Sequence, residues 1–157
     1  MPALRFVSSW HLPGTAQDAW DAVVEHPEQW PSWWPAVQSA QVVETGDDDG
    51  VGRRSRYRLR APLGYRLAVW TRITQAEPPR LVVVDVAGQL AGTGRWELVP
   101  EPGGVRVDQE WEVAPTRRWM RLLAPVATPA FRWSHDRAAR RGEQGLARWL
   151  AAGPRRG

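Results

Sequence analysis

The 157-residue chain has no cysteine, which excludes a disulfide framework, a thiol nucleophile, a cysteine-ligated zinc site and an iron–sulfur cluster. No apolar run approaches the ~20 residues that a membrane-spanning helix needs. The first residues lack the basic, apolar and small-residue regions of a signal peptide. Without these two features, we expect the protein to be cytoplasmic. A chain of this length predicts one domain, which we expect over residues 1–152, followed by a basic, disordered tail over residues 153–157.

Lysine and asparagine are also absent, and Ile73 is the single isoleucine. All 21 basic residues are therefore arginines, and the net charge is +4 with a pI near 10.8. A high pI is typical of nucleic-acid-binding domains, but the codons of the scarce residues are AT-rich, and a GC-rich genome accounts for arginine replacing lysine. We expect no nucleic-acid partner. Arg54, Arg56, Arg58 and Arg60 alternate along one segment, which indicates a solvated face or, as the alternative, a contact for an anionic partner.

Motifs that identify cofactor or metal enzymes are missing too. The chain has no P-loop and no dinucleotide-binding glycine fingerprint, no nucleophile elbow and no histidine pair spaced for zinc. Ser134, His135 and Asp136 are consecutive residues of a predicted helix, so they point in different directions and form no catalytic triad. We expect no cofactor and no metal site, and the sequence leaves open whether the protein is an enzyme.

Most of the chain shows the two-residue periodicity of half-buried strands. In the last such segment Val105, Val107, Gln109, Trp111 and Val113 alternate with charged residues. Short turns rich in glycine and proline separate the segments, which predicts antiparallel hairpins. Two short helical segments, 15–26 and 27–34, interrupt the pattern after the first strand, and APLG at 61–64 is a predicted turn. The predicted strands are 4–12, 38–45, 53–60, 65–75, 81–87, 90–99 and 105–113.

The chain after Thr116 is predicted to be helical, with interruptions at Pro125 and Pro129. Beyond Pro129 an apolar face opposes an arginine-rich face at helical spacing, so the apolar face must cover the sheet. One antiparallel sheet with helices on one face makes an α+β fold. The members of the apolar face are Phe131, His135, Ala138, Gly142, Gly145, Leu146 and Trp149.

Small residues on that face leave room between helix and sheet. Ala138, Gly142 and Gly145 stand where a packed core favours leucine or isoleucine, although glycine inside a helix costs about 1 kcal/mol relative to alanine. A ligand cavity is one interpretation. The other is that some of the 11 tryptophans, such as Trp20, Trp96 and Trp111, fill the space.

The order of elements and five strings resemble the START-like superfamily, also called the SRPBCC or polyketide cyclase/dehydrase and lipid-transport superfamily, and within it an actinobacterial branch. The resemblance covers almost the whole chain and implies the helix-grip fold, also called Bet v 1-like. In that fold a curved seven-stranded antiparallel sheet wraps a long C-terminal helix, with two short helices after the first strand. The strings are WPSWWPAV (30–37), GDDDGVG (46–52), GQLAGTGRWEL (88–98), PGGVRVDQEWEV (102–113) and FRWSHD (131–136).

The candidate site residues lie on the faces that should point at this space. His135 is central on the helix, where a neutral imidazole can bond a ligand or act as a general acid or base, although a core role is the alternative. Gln109 and Tyr57 bring polar groups to inward faces, and Trp33 and Trp34 belong to the segment that closes the cavity in the family. The ligand-binding candidates are Trp20, Trp34, Tyr57, Trp96, Gln109, Trp111, Phe131 and His135, and His135 is the catalytic candidate.

Three functions follow as hypotheses. The first is binding of a small hydrophobic or aromatic molecule between helix and sheet. The second is a polyketide cyclase or dehydratase that uses His135 as acid/base and Tyr57 and Gln109 to orient the substrate. The third is a protein-interaction module that uses the Trp30–Trp34 segment. A monomer and a homodimer are both compatible with the sequence.

Overall fold

The computed structural model describes residues 4–60 and 64–152 of the chain. Seven strands and three α-helices follow each other in the predicted order, and one π turn (Asp21–Glu25) and one 3-10 turn (Pro27–Gln29) connect the first two helices. The basic tail 153–157 and residues 61–63 of the predicted APLG turn lie outside the described residues. The elements are β1 (Leu4–Leu12), α1 (Ala16–Trp20), α2 (Trp30–Trp33), β2 (Val37–Glu44), β3 (Arg54–Arg60), β4 (Arg66–Glu77), β5 (Leu81–Gly88), β6 (Leu90–Glu101), β7 (Gly104–Pro115) and α3 (Arg118–Ala151).

The strands form one antiparallel sheet in the order β1-β7-β6-β5-β4-β3-β2. Consecutive strands are neighbours from β2 to β7, because each is joined to the next by a short connection that favours an antiparallel pair. The first strand pairs with the last, with Leu4 opposite Val113 and Leu12 opposite Val105. The predicted α+β helix-grip architecture is confirmed.

Local sequence explains where the short helices begin and end. Thr15 caps α1: its hydroxyl accepts a hydrogen bond from the Asp18 backbone N–H, and the Asp18 carboxylate accepts one from the Thr15 N–H. This reciprocal pair is a capping box. Pro27 then opens the 3-10 turn that leads into α2, because proline fits the first position of a helix but not its interior.

Alternation along the strands separates an inner from an outer face, as the sequence predicts. Val105, Val107 and Gln109 of β7 are buried. Tyr57 of β3 is buried as well, whereas its arginine neighbours are exposed. On the outer face the guanidinium carbons of Arg54 and Arg56 lie 5.6 and 5.1 Å from the ring centroid of Trp70.

Helix α3 runs without a break from Arg118 to Ala151. The interruptions expected at Pro125 and Pro129 are absent, so this prediction was wrong. Both prolines are exposed, and a single proline removes one backbone hydrogen bond that water can replace on the outer side of a helix. The remaining bonds of each turn keep the helix continuous.

The interior divides into two groups of buried side chains. The first, the Trp10 cluster, is dense in aromatic rings; the second, the Phe6 cluster, is smaller. The Trp10 cluster comprises Trp10, Leu12, Ala19, Trp20, Ala22, Val23, Val24, Trp33, Ile73, Val82, Trp96, Leu98, Val105, Val107 and Leu146. The Phe6 cluster comprises Phe6, Val37, Tyr57, Val69, Val86 and Val113.

Candidate functional site

A cavity of about 230 Å³ lies between α3 and the inner face of the sheet. Aromatic and aliphatic side chains make most of its wall, and every residue of the Phe6 cluster borders it. Helix α3 contributes Met120, Phe131, Ser134, His135, Ala138 and Ala139, and the Trp30–Trp34 segment, which we call the lid, contributes Trp30 and Trp34. The cavity therefore occupies the part of the interior that the Phe6 cluster surrounds.

Two of the three small residues on α3 do not open this cavity, contrary to expectation. A Cβ atom on Gly142 would lie 2.7 Å from Cε2 of Trp34, and one on Gly145 would overlap the carbonyl oxygen of Trp33. Indole Nε1 of Trp34 donates a 2.9 Å hydrogen bond to the carbonyl oxygen of Ala138. The glycines thus let α2 and its tryptophans approach the helix backbone, and only Ala138 of the three borders the cavity.

The structure brings six of the eight candidate binding residues to this cavity: Trp34, Tyr57, Gln109, Trp111, Phe131 and His135. Trp20 lies elsewhere. It is buried in the Trp10 cluster, and its Nε1 donates a 3.2 Å hydrogen bond to Oε1 of Glu25. The interpretation of Trp20 as a cavity residue was wrong because an amphipathic helix buries its apolar face equally well against a packed core.

Trp96 borders a different and smaller space. A second cavity of about 50 Å³ lies beyond Trp30, and Trp96 contributes to its wall together with Ile73 and Val82. The Trp30 ring stacks on Tyr57 at 4.9 Å and on Trp96 at 5.8 Å between centroids. Four residues border both cavities and separate them: Trp30, Tyr57, Thr71 and Trp111.

His135 presents a neutral imidazole to the main cavity. Its ring stacks on Phe6 with 4.4 Å between centroids, and Nδ1 lies 3.4 Å from Oδ1 of Asp136. Burial lowers the pKa of His135; the Asp136 carboxylate opposes this shift and the charge of Arg132 adds to it. A neutral ring can donate through one nitrogen and accept through the other.

Tyr57 keeps its proton at every physiological pH. Burial raises its pKa to about 12, although the hydroxyls of Ser55 and Thr71 partly stabilise the charged form. The phenol is therefore a hydrogen-bonding group and not a base in the wall of the cavity.

Gln109 is a buried amide whose nitrogen has no partner. The residue is 3% exposed, and Nε2 makes no hydrogen bond within residues 4–60 and 64–152. A buried donor without an acceptor costs about 1–3 kcal/mol, and such groups are rare in folded proteins. Trp30 Nε1 is likewise buried without a partner among the described residues.

Two polar residues of the wall escaped the sequence analysis. The Tyr65 hydroxyl donates to Oγ of the buried Ser134 across 3.4 Å, and the Tyr65 ring meets Phe131 edge-on at 5.9 Å. Ser134 precedes Ala138 by four residues, so helical spacing placed both on one face. This spacing is the sequence signal for the inward position of Ser134.

The lid tryptophans face inward. The Trp33 and Trp34 rings stack at 5.6 Å; Trp33 is buried against Trp10, and Trp34 borders the cavity. Neither ring forms the surface patch expected for a protein-interaction module. Within the part of the chain that the structure describes, no helix is long and apolar enough to cross a membrane.

Solved structures share this fold across nearly the full chain. A START superfamily protein from Mycobacterium smegmatis superposes with a TM-score of 0.75 at 12% identity, covering 94% of this chain and 97% of that one. A protein from Thermus thermophilus gives 0.71 at 18% identity, with 96% and 100% covered. The di-domain ARO/CYC StfQ of the steffimycin biosynthetic pathway gives 0.68 at 15% identity, and this chain spans 52% of it.

No curated protein matches the chain in sequence. A family model described as polyketide cyclase / dehydrase and lipid transport matches residues 3–148. With the seven-stranded sheet, the long C-terminal helix and the cavity between them, this match assigns the chain to the START-like polyketide cyclase/dehydrase and lipid-transport family.

Proposed function

We propose that the protein binds one small, largely apolar molecule in the cavity between α3 and the Phe6 cluster. The observation that carries the proposal is a cavity of about 230 Å³ whose wall is apolar except for a few inward polar groups. Small-molecule sites combine these two features. Burial of the ligand's apolar surface supplies the binding energy, at roughly 25 cal/mol per Å².

The size of the cavity limits the ligand. Its volume of about 230 Å³ is about one and a half times that of the ~150 Å³ engineered cavity that takes up benzene. A compound with one or two rings fills this space, and a longer molecule leaves a part outside. We therefore propose a mono- or bicyclic body.

The polar groups of the wall favour a ligand that carries a carbonyl or hydroxyl group. The Gln109 amide and the neutral His135 both border the cavity, and the Gln109 nitrogen lacks an acceptor among the described residues. A ligand oxygen next to Gln109 would accept a hydrogen bond from an amide nitrogen that otherwise remains desolvated and unpaired. A pure hydrocarbon leaves the Gln109 nitrogen unpaired, so we expect it to bind more weakly.

The proposal is tested by titrating the protein with mono- and bicyclic phenols, ketones and matching hydrocarbons, followed by tryptophan fluorescence and calorimetry. Trp30, Trp34 and Trp111 border the cavity and report occupancy. We expect saturable one-to-one binding, with the oxygenated members tighter by about tenfold, which is one hydrogen bond of ~1.4 kcal/mol.

A cavity-filling variant supplies the control. Ala138→Phe places a ring inside the cavity and should weaken binding at least about tenfold, whereas Ala151→Phe at the exposed end of α3 should leave it unchanged. Equal affinities for wild type and Ala138→Phe, or no binding across the panel, would contradict the proposal.

A catalytic role is the second candidate, and the position of His135 favours it. A neutral imidazole in the wall of an apolar cavity can move a proton to or from a bound poly-carbonyl chain, and two structural neighbours are named ARO/CYC proteins. In this case His135→Gln should lower kcat at least about 100-fold on a cyclisable substrate while ligand affinity changes little. Equal turnover by wild type and His135→Gln would exclude the role of His135.

A further inference from the structure

The first half of α3 exposes a row of large apolar side chains. Among the described residues, seven large apolar side chains are strongly exposed, and five of them lie between residues 119 and 133. Leu122 and Val126 are 81% and 84% exposed. At helical spacing the five fall within an arc of about 100° along roughly 21 Å of helix. We call them the α3 stripe: Trp119, Leu122, Leu123, Val126 and Trp133.

The opposite side of the same helix segment faces the cavity. Met120 and Phe131 border it, and their positions on the helix are about 100° or more away from the centre of the α3 stripe. The α3 stripe therefore lies on a different face of the helix from the cavity wall. Its side chains are not cavity-lining residues that have become exposed. Soluble domains seldom expose a continuous apolar surface that has no use.

Positive charge accompanies the α3 stripe. Between Thr116 and Arg137 the sequence has five arginines and one acidic residue, Asp136. Arg117 and Arg118 are exposed at the start of the helix, and the guanidinium carbon of Arg137 lies 5.5 Å from the ring centroid of Trp133. The surface thus combines an apolar row with cationic surroundings.

The arginines at the start of α3 oppose the electrostatic preference of a helix N-terminus. A helix N-terminus carries a partial positive charge and favours acidic residues, yet the first turn of α3 has none and its N-cap residue, Arg117, forms no side-chain cap. Local rules are broken mainly where a function requires it. An anionic surface at this end would stabilise both the arginines and the helix terminus.

We propose that the α3 stripe docks on the surface of a lipid bilayer that contains anionic phospholipids. An apolar helix face with tryptophan and leucine, flanked by arginine, lies in the interface between headgroups and acyl chains, and arginine is attracted to anionic headgroups. A second copy of this chain fits less well, because a two-fold contact along the stripe would bring arginines from one end of the stripe near arginines from the other end in the second copy. The docking goes beyond ligand binding and does not require an occupied cavity.

The test is co-sedimentation with vesicles of phosphatidylglycerol and phosphatidylcholine in equal parts, compared with vesicles of phosphatidylcholine alone. We expect binding to the anionic vesicles that weakens with added salt and is at least about tenfold weaker on the neutral ones. Leu122→Ser/Val126→Ser should weaken it at least about tenfold. The matched control Val7→Ser/Val43→Ser, at two exposed positions of the sheet, should bind as wild type.

The charge is tested separately with Arg117→Gln/Arg118→Gln, for which we expect about tenfold weaker binding to anionic vesicles. Arg58→Gln/Arg72→Gln, at exposed positions on the outer face of the sheet, is the control. The cavity-filled Ala138→Phe variant should bind vesicles as wild type, which separates this proposal from ligand binding. Equal vesicle binding by the stripe and control variants, or no preference for anionic vesicles, would overturn the proposal. So would a dimer of the wild type that the stripe variants abolish and the control variants keep, because the stripe would then be a dimer interface.

Discussion

The two halves of helix α3 meet different environments. Its C-terminal half buries Leu146 in the Trp10 cluster and holds Gly142 and Gly145 in close contact with Trp34 and Trp33 of the lid. Its middle and first half place Ala138, His135 and Met120 along a cavity of about 230 Å³. One face of one helix thus covers both a packed core and a hollow one.

Small residues serve opposite purposes in these two halves. At Gly145 the missing side chain admits the Trp33 carbonyl, and at Gly142 it admits the Trp34 ring. At Ala138 the short side chain faces the cavity. A small residue on a helix face therefore shows that something approaches closely or that space remains, and only the neighbouring elements decide between the two.

Truncating a buried side chain should produce the largest difference in stability between the two halves of α3. Leu146 is fully buried in the Trp10 cluster, whereas Met120 is buried but borders the cavity. Leu146→Ala should destabilise the fold by about 4 kcal/mol, because it creates a void in a packed region. Met120→Ala enlarges an existing space and should cost about 2 kcal/mol. Urea unfolding at equilibrium measures both, and equal losses would mean that the two regions are packed alike.

Enlarging a side chain should destabilise the packed half of α3 and not the half that borders the cavity. By helix propensity alone Gly145→Ala stabilises by about 1 kcal/mol, but its Cβ would overlap the Trp33 carbonyl, so we expect a net loss of about 3 kcal/mol. Ala138→Leu extends into the cavity and should be neutral or stabilise by up to ~1 kcal/mol.

The exposed neighbour Gln144 supplies the control for Gly145, since Gln144→Ala should change the free energy of unfolding by less than about 0.5 kcal/mol. Thermal unfolding followed by circular dichroism compares the three variants. A Gly145→Ala variant more stable than wild type would contradict the close contact between α2 and α3.

The smallest expected change in the free energy of unfolding is its pH dependence, to which His11 on β1 and His135 on α3 contribute. His135 has a lowered pKa because it is buried, so the unfolded chain binds its proton more readily and stability falls as the pH drops below the unfolded value of about 6.5. Nδ1 of the exposed His11 lies 2.8 Å from Oε1 of Glu101, and this contact raises the pKa of His11. Its contribution is present at acid pH and is lost as the pH rises through the folded pKa.

These opposite signs are measured by urea unfolding between roughly pH 5 and pH 8. Compared with wild type, His135→Gln should lose less stability on acidification, and His11→Gln should lose more. The same sign of change in both variants would contradict the different surroundings of the two rings.

Most of the fold could be predicted from the sequence, because each strand and helix shows its own periodicity of apolar residues. The alternation around Gln109 placed its face, and the spacing of Phe131, His135 and Ala138 placed the helix face. The predicted helical segment 15–26 begins at Thr15, which is the N-cap of α1 in the structure. Such periodicities depend on the backbone geometry of one element, so they are readable without knowledge of its neighbours.

What the sequence did not reveal depends on contacts between distant elements. Trp20 and Trp34 are both large and inward-facing, yet one packs in the Trp10 cluster and the other borders the cavity. Gly142 and Gly145 gave no sign that α2 would dock on them. Pro125 and Pro129 suggested breaks that the exposed position of the helix made unnecessary.

Xenon binding in crystals under pressure tests the hollow half most directly, because xenon enters empty apolar cavities but not packed cores. We expect xenon between α3 and the Phe6 cluster, near Phe6, Val86 and Ala138, and none where Gly142 and Gly145 pack against the lid tryptophans. Crystals with no xenon in that space, and with the lid tryptophans filling it, would contradict the account of a ligand cavity.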